Sequence, residues 1–382
     1  MPRITLPVKP YPMTVSDSIP LRNVLCIRAD NMGDVLMSSP ALCALKDTFG
    51  SKITLLTSQA GSLVAPYLNC VDELIIAELP WVKSIAEDAP DLQVLAADIA
   101  SRNFDAAIIF TVYSQSSLPA AMLVSIAGVN IRAAYSRENP YDLLTTWLPD
   151  TEPYQQILHQ VDRDLNLVKA LGAKPVDIHI RLKRNVADFK LVHEKLAPFH
   201  LRLETPFLLL HPGVSEEKRR FPVDLWIAAG KLLEERFNIP LLISGSASER
   251  ELAGHIAAGI GINAINVAGM FSLGGFIEVV AHAACVVSVN TSTIHIAAAT
   301  QTPVVVLYAQ TNPQHTPWQS PHEILPFSVP KHLQSRNPII RDVASWLYQE
   351  EIPYPEPADI AAAVSRLIVL RNHGLDPVPN EG

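Results

Sequence analysis

Short apolar runs alternate with helix-like segments along the chain, and the whole pattern occurs twice. Residues 24–27, 53–57, 73–76 and 106–110 have the length and apolar content of buried strands, with 131–134 a further one. Helical patterns at 35–49, 61–68 and 92–102 separate them. Apolar strands joined through helices imply a parallel sheet covered on both faces. From residue 207 the grammar restarts. Strands are expected at 207–210, 240–244, 265–267, 285–289 and 304–308, and helices at 223–237, 248–258, 273–284 and 292–300. The fold class is therefore α/β, with two successive Rossmann-like halves and parallel sheets facing a central cleft.

A length of 382 residues suits two such halves better than one core. Two Rossmann-like halves around a cleft suggest the architecture known as GT-B. Residues 1–22 read as an N-terminal extension, 23–185 as the first domain, 186–206 as a linker and 207–345 as the second domain. The linker carries helical character at 186–196. Residues 346–382 form C-terminal helices and a tail, with helical patterns at 342–348 and 358–370 and fraying expected beyond 372.

Composition excludes several functions. A net charge of −8 leaves no basic excess for replacing counterions on nucleic-acid phosphates, so no nucleic-acid partner is expected. The cysteines, Cys26, Cys43, Cys70 and Cys285, show no metal-ligand spacing, which fits a reduced, cytoplasmic protein with no metal site. Residues 1–20 are proline-rich and lack the apolar centre of a signal peptide. No stretch reaches the ~18 consecutive apolar residues of a membrane span. Segment 104–129 comes nearest, but Ser114-Gln115-Ser116-Ser117 interrupts it. Any membrane association, for instance at the inner face of the inner membrane, would be peripheral. A monomer is expected.

Three segments carry chemistry. In the first, the apolar run ending at Ile27 gives way to Arg28-Ala29-Asp30-Asn31-Met32-Gly33-Asp34 and then a helix. That places the Asp34 carboxylate in the crevice outside a strand's carboxyl end, where doubly wound folds bind ligands. A plain helix-capping acid is the alternative. In the second, a strand delivers His211-Pro212-Gly213-Val214-Ser215, followed by Lys218-Arg219-Arg220 and Phe221-Pro222. Loop N–H groups and cations together suit a diphosphate, although a solvated basic tip would look alike. In the third, a strand feeds Asn290-Thr291-Ser292-Thr293 and an Ala-rich helix with His295 in its first turn. A helix N-terminus there suits a phosphate. A structural histidine is the alternative for His295.

Together these segments resemble glycosyltransferase family 9, the heptosyltransferases of lipopolysaccharide core synthesis. The resemblance runs from Val24 to Trp318 and includes Pro40-Ala41-Leu42 and Thr302-Pro303-Val304-Val305. It implies a GT-B fold and metal-independent, inverting transfer from a nucleotide-diphosphate sugar, with ADP-heptose as the family's donor and no cofactor. It implies Asp34 and Lys218 as catalytic residues. The implied donor site comprises His211, Gly213, Val214, Arg219, Arg220, Asn290, Thr291, Ser292, Thr293 and His295, with Phe271, Ser272 and Leu273 lining the nucleotide pocket. Arg28, Asn31, Met32 and Gly33 fall on the acceptor side, in the domain that takes a glycan or lipid-linked saccharide.

Two departures concern the donor. Asn290 and Ser292 stand where the well-known heptosyltransferases carry aspartate and glycine, so a different donor is expected. Asn290→Asp should shift donor preference more than stability. The basic loop is one residue longer than the usual Lys-x-Trp-Pro, which leaves open whether Lys218 or Arg219 holds the lysine's place. A nucleotide-sugar epimerase and a non-catalytic sugar-nucleotide binder of the same fold are the competing readings. No GxGxxG follows residues 24–27 and no GxxxxGK[ST] occurs.

Overall fold

The computed structural model describes residues 21–82 and 90–372. The N-terminal extension, apart from its last two residues, and the frayed tail expected beyond residue 372 lie outside the described residues.

The first sheet contains β1 (Asn23–Ile27), β2 (Lys52–Thr57), β3 (Glu73–Ile76), β4 (Ala106–Ile109), β5 (Ile131–Ser136) and β6 (Thr146–Pro149). All of its pairings are parallel, in the order β3-β2-β1-β4-β5-β6. Its helices are α1 (Met32–Phe49), α2 (Gln59–Ser62), α3 (Leu92–Ser101), α4 (Leu118–Ile126) and α5 (Gln160–Ala170). The helix α6 (Val186–Leu196) then leads to the second sheet.

That sheet contains β7 (Leu208–His211), β8 (Leu241–Ile243), β9 (Ala264–Asn266), β10 (Cys285–Val289), β11 (Val304–Ala309) and β12 (His322–Phe327). Its order, β9-β8-β7-β10-β11-β12, repeats the first in the corresponding strands. The helices are α7 (Val223–Phe237), α8 (Arg250–Ile260), α9 (Leu273–His282), α10 (Ser292–Ala299), α11 (Pro338–Leu347) and α12 (Pro357–Asn372). In each half the strand order reverses beside the first strand, between β1 and β4 and between β7 and β10. Those are the positions where open α/β sheets form ligand crevices.

The elements follow from local chemistry. Val24, Leu25, Cys26 and Ile27 are almost wholly buried, as a central parallel strand requires. Helix α1 begins at Met32, three residues before the expected start, because Asn31 takes the extended N-cap conformation. It ends at Gly50, whose φ of 64° is left-handed and whose N–H bonds Lys46 O at 2.9 Å. Pro40 lies inside α1 and has no N–H for the Leu36 carbonyl. The Ser39 hydroxyl donates to that carbonyl instead, at 2.7 Å.

Four elements were not expected from the sequence. Strands β6 and β12 are outer strands containing Pro149 and Pro326, which obscure the apolar signal. Helix α4 is apolar with little amphipathic contrast, and α5 turns Arg163 and Asp164 inward. The helix expected at 61–68 is instead α2 followed by the 3-10 turn Ala65–Tyr67.

One apolar cluster joins the halves, running through Met37, Leu165, Val192, Ile277 and Ile294. Helix α6 packs on α9, and α12 packs on α7 and β11. Among the described residues no helix is long and apolar enough to cross a membrane.

Candidate active site

Asp34 is the third residue of α1, directly after the β1 turn. The Asn31 N–H donates to its Oδ2 at 3.2 Å. Arg28 Nη2 donates to its Oδ1 at 2.9 Å, while Arg28 Nε lies 3.2 Å from Asp30 Oδ2. Gln115 Nε2 donates to Asp30 Oδ1 at 2.6 Å. Arg28 has no exposed surface, so it holds the two carboxylates from beneath and does not face an acceptor.

One guanidinium thus serves two carboxylates, with opposite results. Burial raises the Asp30 pKa, and the attraction of Arg28 does not cancel it while the Asp34 charge adds to it. Burial raises Asp34 too, but the charges of Arg28 and His315 and the bonds from Arg28 and Asn31 bring it below the ordinary carboxylate range. Asp34 is therefore ionised at neutral pH.

His315, which no sequence motif indicated, completes this corner. Its Nε2 lies 3.6 Å from Asp34 Oδ1. The chain leaves β11 and crosses to the first half, where buried Gln314 clamps it. Tyr113 N–H donates to Gln314 Oε1 at 3.2 Å, and Gln160 N–H donates to the Gln314 carbonyl at 3.1 Å. Gln314 Nε2 also donates to Glu152 Oε1 at 3.4 Å. Burial pushes His315 down to about 4, with Asp34 opposing and Arg28 and Arg219 assisting.

His295, on the first turn of α10, is 4% exposed, and among the described residues its Nδ1 has no hydrogen-bond partner. Burial, then the neighbouring His315, pushes its pKa down to about 3. The two rings stand nearly perpendicular, with centroids 6.4 Å apart. Gly33 lets α1 approach α10. An added Cβ there would lie 3.1 Å from His295 Cδ2 and 3.5 Å from Ser292 Cα.

The basic segment forms the 3-10 turn Glu217–Arg219 and directs its cations differently. Arg219 Nη1 donates to the Asn290 carbonyl at 2.9 Å and its Nη2 lies 2.8 Å from Glu216 Oε2. Lys218 Nζ is 3.1 Å from Glu216 Oε1. Arg220 turns out to solvent and pairs with Glu217 at 2.6 Å. Asn290 spends its amide on the scaffold. Nδ2 donates to Ala309 O at 3.1 Å and to Thr311 Oγ1 at 3.0 Å, and Oδ1 accepts from Ala309 N–H at 3.2 Å.

Two cavities, of about 540 and 490 Å³, share a wall of Asp34, Arg219, Thr311 and His315. The smaller is lined by Asn31, Met32 and Gly33 from the first half. From the second it has His211, Gly213, Val214, Ser215, Glu249, Asn290, Thr291, Ser292 and His295. His211 Nδ1 lies 3.0 Å from Ser244 Oγ, and burial pushes its pKa down to about 4. A Cβ on Gly213 would lie 2.5 Å from Glu249 Oε2. The larger cavity is lined by Asp30, Tyr113, Gln115, Lys218 and Asn312, and by Ile340, Arg341, Ala344, Ser345 and Tyr348 in and beside α11.

Several expected site residues line neither cavity. Arg28 is beneath the floor, Arg220 is outside, and Thr293 is buried on the inner face of α10. Phe271 and Leu273 pack on the core, while Ser272 caps α9 by accepting from Gly275 N–H at 3.2 Å. Glu249, Thr311 and His315 went unnoticed in the sequence. Thr311 follows β11 closely, and a polar residue just past the carboxyl end of a parallel strand was the available signal. Among the described residues no group of three or more His, Cys, Asp or Glu is placed to hold a metal ion.

A lipopolysaccharide heptosyltransferase 1 from Pseudomonas aeruginosa is 26% identical over 296 residues, 77% of this chain and 80% of that protein. A family 9 glycosyltransferase from Veillonella parvula superposes with a TM-score of 0.73 at 17% identity, covering 92% of this chain and 98% of that one. An E. coli heptosyltransferase with ADP-2-deoxy-2-fluoro heptose gives a TM-score of 0.59 at 21% identity, covering 86% and 99%. The fold is accordingly GT-B. Residues 94–334 match glycosyltransferase family 9 (heptosyltransferase), and this chain belongs to that family.

Proposed function

We propose that the protein moves heptose from ADP-heptose to a saccharide of lipopolysaccharide core, with inversion, and that Asp34 is the general base. The observation that carries this reading is the shared wall: Asp34 faces both cavities beside Arg219 and the N-terminus of α10. The smaller cavity takes the donor and the larger one receives the acceptor, which turns Asn31, Met32 and Gly33, expected on the acceptor side, into donor-side residues. Donor identity is supported by the ADP-sugar in the E. coli relative and by the name of the Pseudomonas one. Asn290 does not oppose it, since its amide is bonded to Ala309 and Thr311 and not turned to the ligand.

In this reading the acceptor hydroxyl attacks the anomeric carbon on the face opposite the diphosphate, and Asp34 takes its proton. Charge grows on the leaving ADP and is met by Arg219, by Lys218 from the adjoining cavity and by the N–H groups at the start of α10. The unpartnered His295 Nδ1 supplies a further polar contact at that end.

The test has two parts. Melting shifts with ADP, GDP, UDP and dTDP should be largest for ADP. Release of ADP from ADP-heptose should require heptose-free lipopolysaccharide core. A preference for another nucleotide overturns the donor assignment, and ADP release indifferent to the core saccharide overturns the acceptor assignment.

A further inference from the structure

Asp30 and Asp34 share one guanidinium but not the same surroundings. Asp34 borders both cavities, whereas Asp30 borders only the larger one. The two carboxylates meet Nε and Nη2 of Arg28, neighbouring nitrogens of one rigid plane, so they stand side by side. Transfer as described above uses Asp34 and leaves Asp30 idle.

Asp30 is firmly held yet not saturated. Ser58 Oγ donates to its carbonyl at 2.6 Å, which ties its backbone to the turn between β2 and α2. Gln115 Nε2 donates to its Oδ1 at 2.6 Å, and Gln115 is fixed in turn by the Val112 N–H, which donates to Gln115 Oε1 at 3.3 Å. Oδ2 differs. Arg28 Nε lies 3.2 Å from it without the alignment of a hydrogen bond, and among the described residues Oδ2 accepts none. An ionised carboxylate offers about four lone-pair sites, so most of the capacity of this one is unused. The side chain keeps 13% exposure and lines the larger cavity.

An acceptor filling that cavity expels the water that solvates Oδ2. Unless it supplies a donor in return, a carboxylate oxygen is left unpaired, which costs affinity. We propose that Asp30 binds the acceptor, its Oδ2 accepting a hydrogen bond from a second hydroxyl of the saccharide while Asp34 faces the hydroxyl that attacks. For the class of ligand this inference rests on the transfer reading above. A saccharide carries several hydroxyls at fixed spacing, and two carboxylates held on one guanidinium engage two of them together. The attacking oxygen is thereby oriented at the wall shared with the donor cavity. Asp30 is also a specificity residue, because a site built to bond a hydroxyl rejects the analogue that lacks it.

Calorimetric titration of the ADP-loaded full chain tests this. The probes are heptose-free lipopolysaccharide core saccharide and analogues of it, each lacking one hydroxyl other than the attacked one. The wild type should bind at least one analogue about 10-fold more weakly than the parent saccharide. Asp30→Ala should bind the parent about as weakly as that analogue and no longer distinguish the two, with the ADP melting shift of the wild type. Asp30→Asn keeps the shape and an oxygen for Gln115. It should discriminate less than the wild type, and it decides the matter if Asp30→Ala does not fold. A purely structural Asp30 would weaken both saccharides equally and preserve the preference. That result overturns the inference, as does a wild type indifferent to every deletion. A wild type that shows these preferences but transfers no heptose rejects the transfer reading and upholds Asp30 as a binding residue. A wild type that binds no core saccharide overturns both.

Discussion

Three adjacent cations meet different fates within one turn. Arg219 reaches the Asn290 carbonyl and borders both cavities, Lys218 borders the larger, and Arg220 points to solvent. Arg219→Ala should weaken ADP binding about 10-fold or more, since charge-assisted contacts to phosphate are strong. Arg220→Ala should change stability by no more than about 0.5 kcal/mol and leave binding alone. Calorimetric titration with ADP separates them, and equal small effects would reduce the trio to a solvated tip. Asn290 shows how packing revises an expectation about charge. Aspartate there cannot donate to Ala309 O or Thr311 Oγ1, so Asn290→Asp should cost about 1–3 kcal/mol, read as a lowered denaturation midpoint. A shift in donor preference at full stability would reverse that conclusion. Asp34 was legible because it follows an apolar strand by a few residues. His315 was not, because Gln314 bonds a backbone 201 residues away, and only the fold brings that pair together.

At the scale of elements, the site depends on α1 lying against α10. Gly33 permits that approach, and its neighbours leave room for little more than hydrogen. Gly33→Val should cost about 1–3 kcal/mol by overpacking. It should also lower turnover beyond what thermal melting explains, because it pushes Asp34 away from Ser292 and His295. Unchanged turnover would mean that the helix contact does not set the geometry. Central strands and their helices could be read from the sequence since burial on both faces leaves a continuous apolar run, as at Cys285–Val289. Outer strands lack that signal, and β12 is partly exposed with Pro326 near its end. Helix α5 was hidden for another reason. Its inward face carries Arg163, which pairs with Asp150 at 2.9 Å and with Glu152, and a buried ionic network looks like surface in a sequence.

Across the whole molecule, the same strand order occurs twice, and each half brings the end of its first strand to the cleft. Buried imidazoles gather there, which makes stability depend on pH. His295, His315 and His211 have folded values of about 3, 4 and 4, all below the ordinary 6.5. Their contribution is complete above 6.5 and is lost as pH falls toward 4, because the unfolded chain binds protons that the folded one refuses. Asp164, raised to about 6 mainly by burial, acts in the opposite direction between 6 and about 4. Asp30, which burial also raises, acts in that same direction. Three imidazoles outweigh two carboxyls, so the melting temperature should fall between pH 7 and pH 5. A rise over that interval would contradict the buried neutral histidines.

The central claim is that Asp34 removes the acceptor's proton, and Asp34→Asn tests it most directly. The amide keeps an oxygen for Arg28 and stays in the same place, so ADP should still raise the melting temperature as in wild type. Turnover with ADP-heptose and saturating heptose-free lipopolysaccharide core should drop about 10²–10⁴-fold. Turnover near the wild-type rate at saturating acceptor would contradict the account.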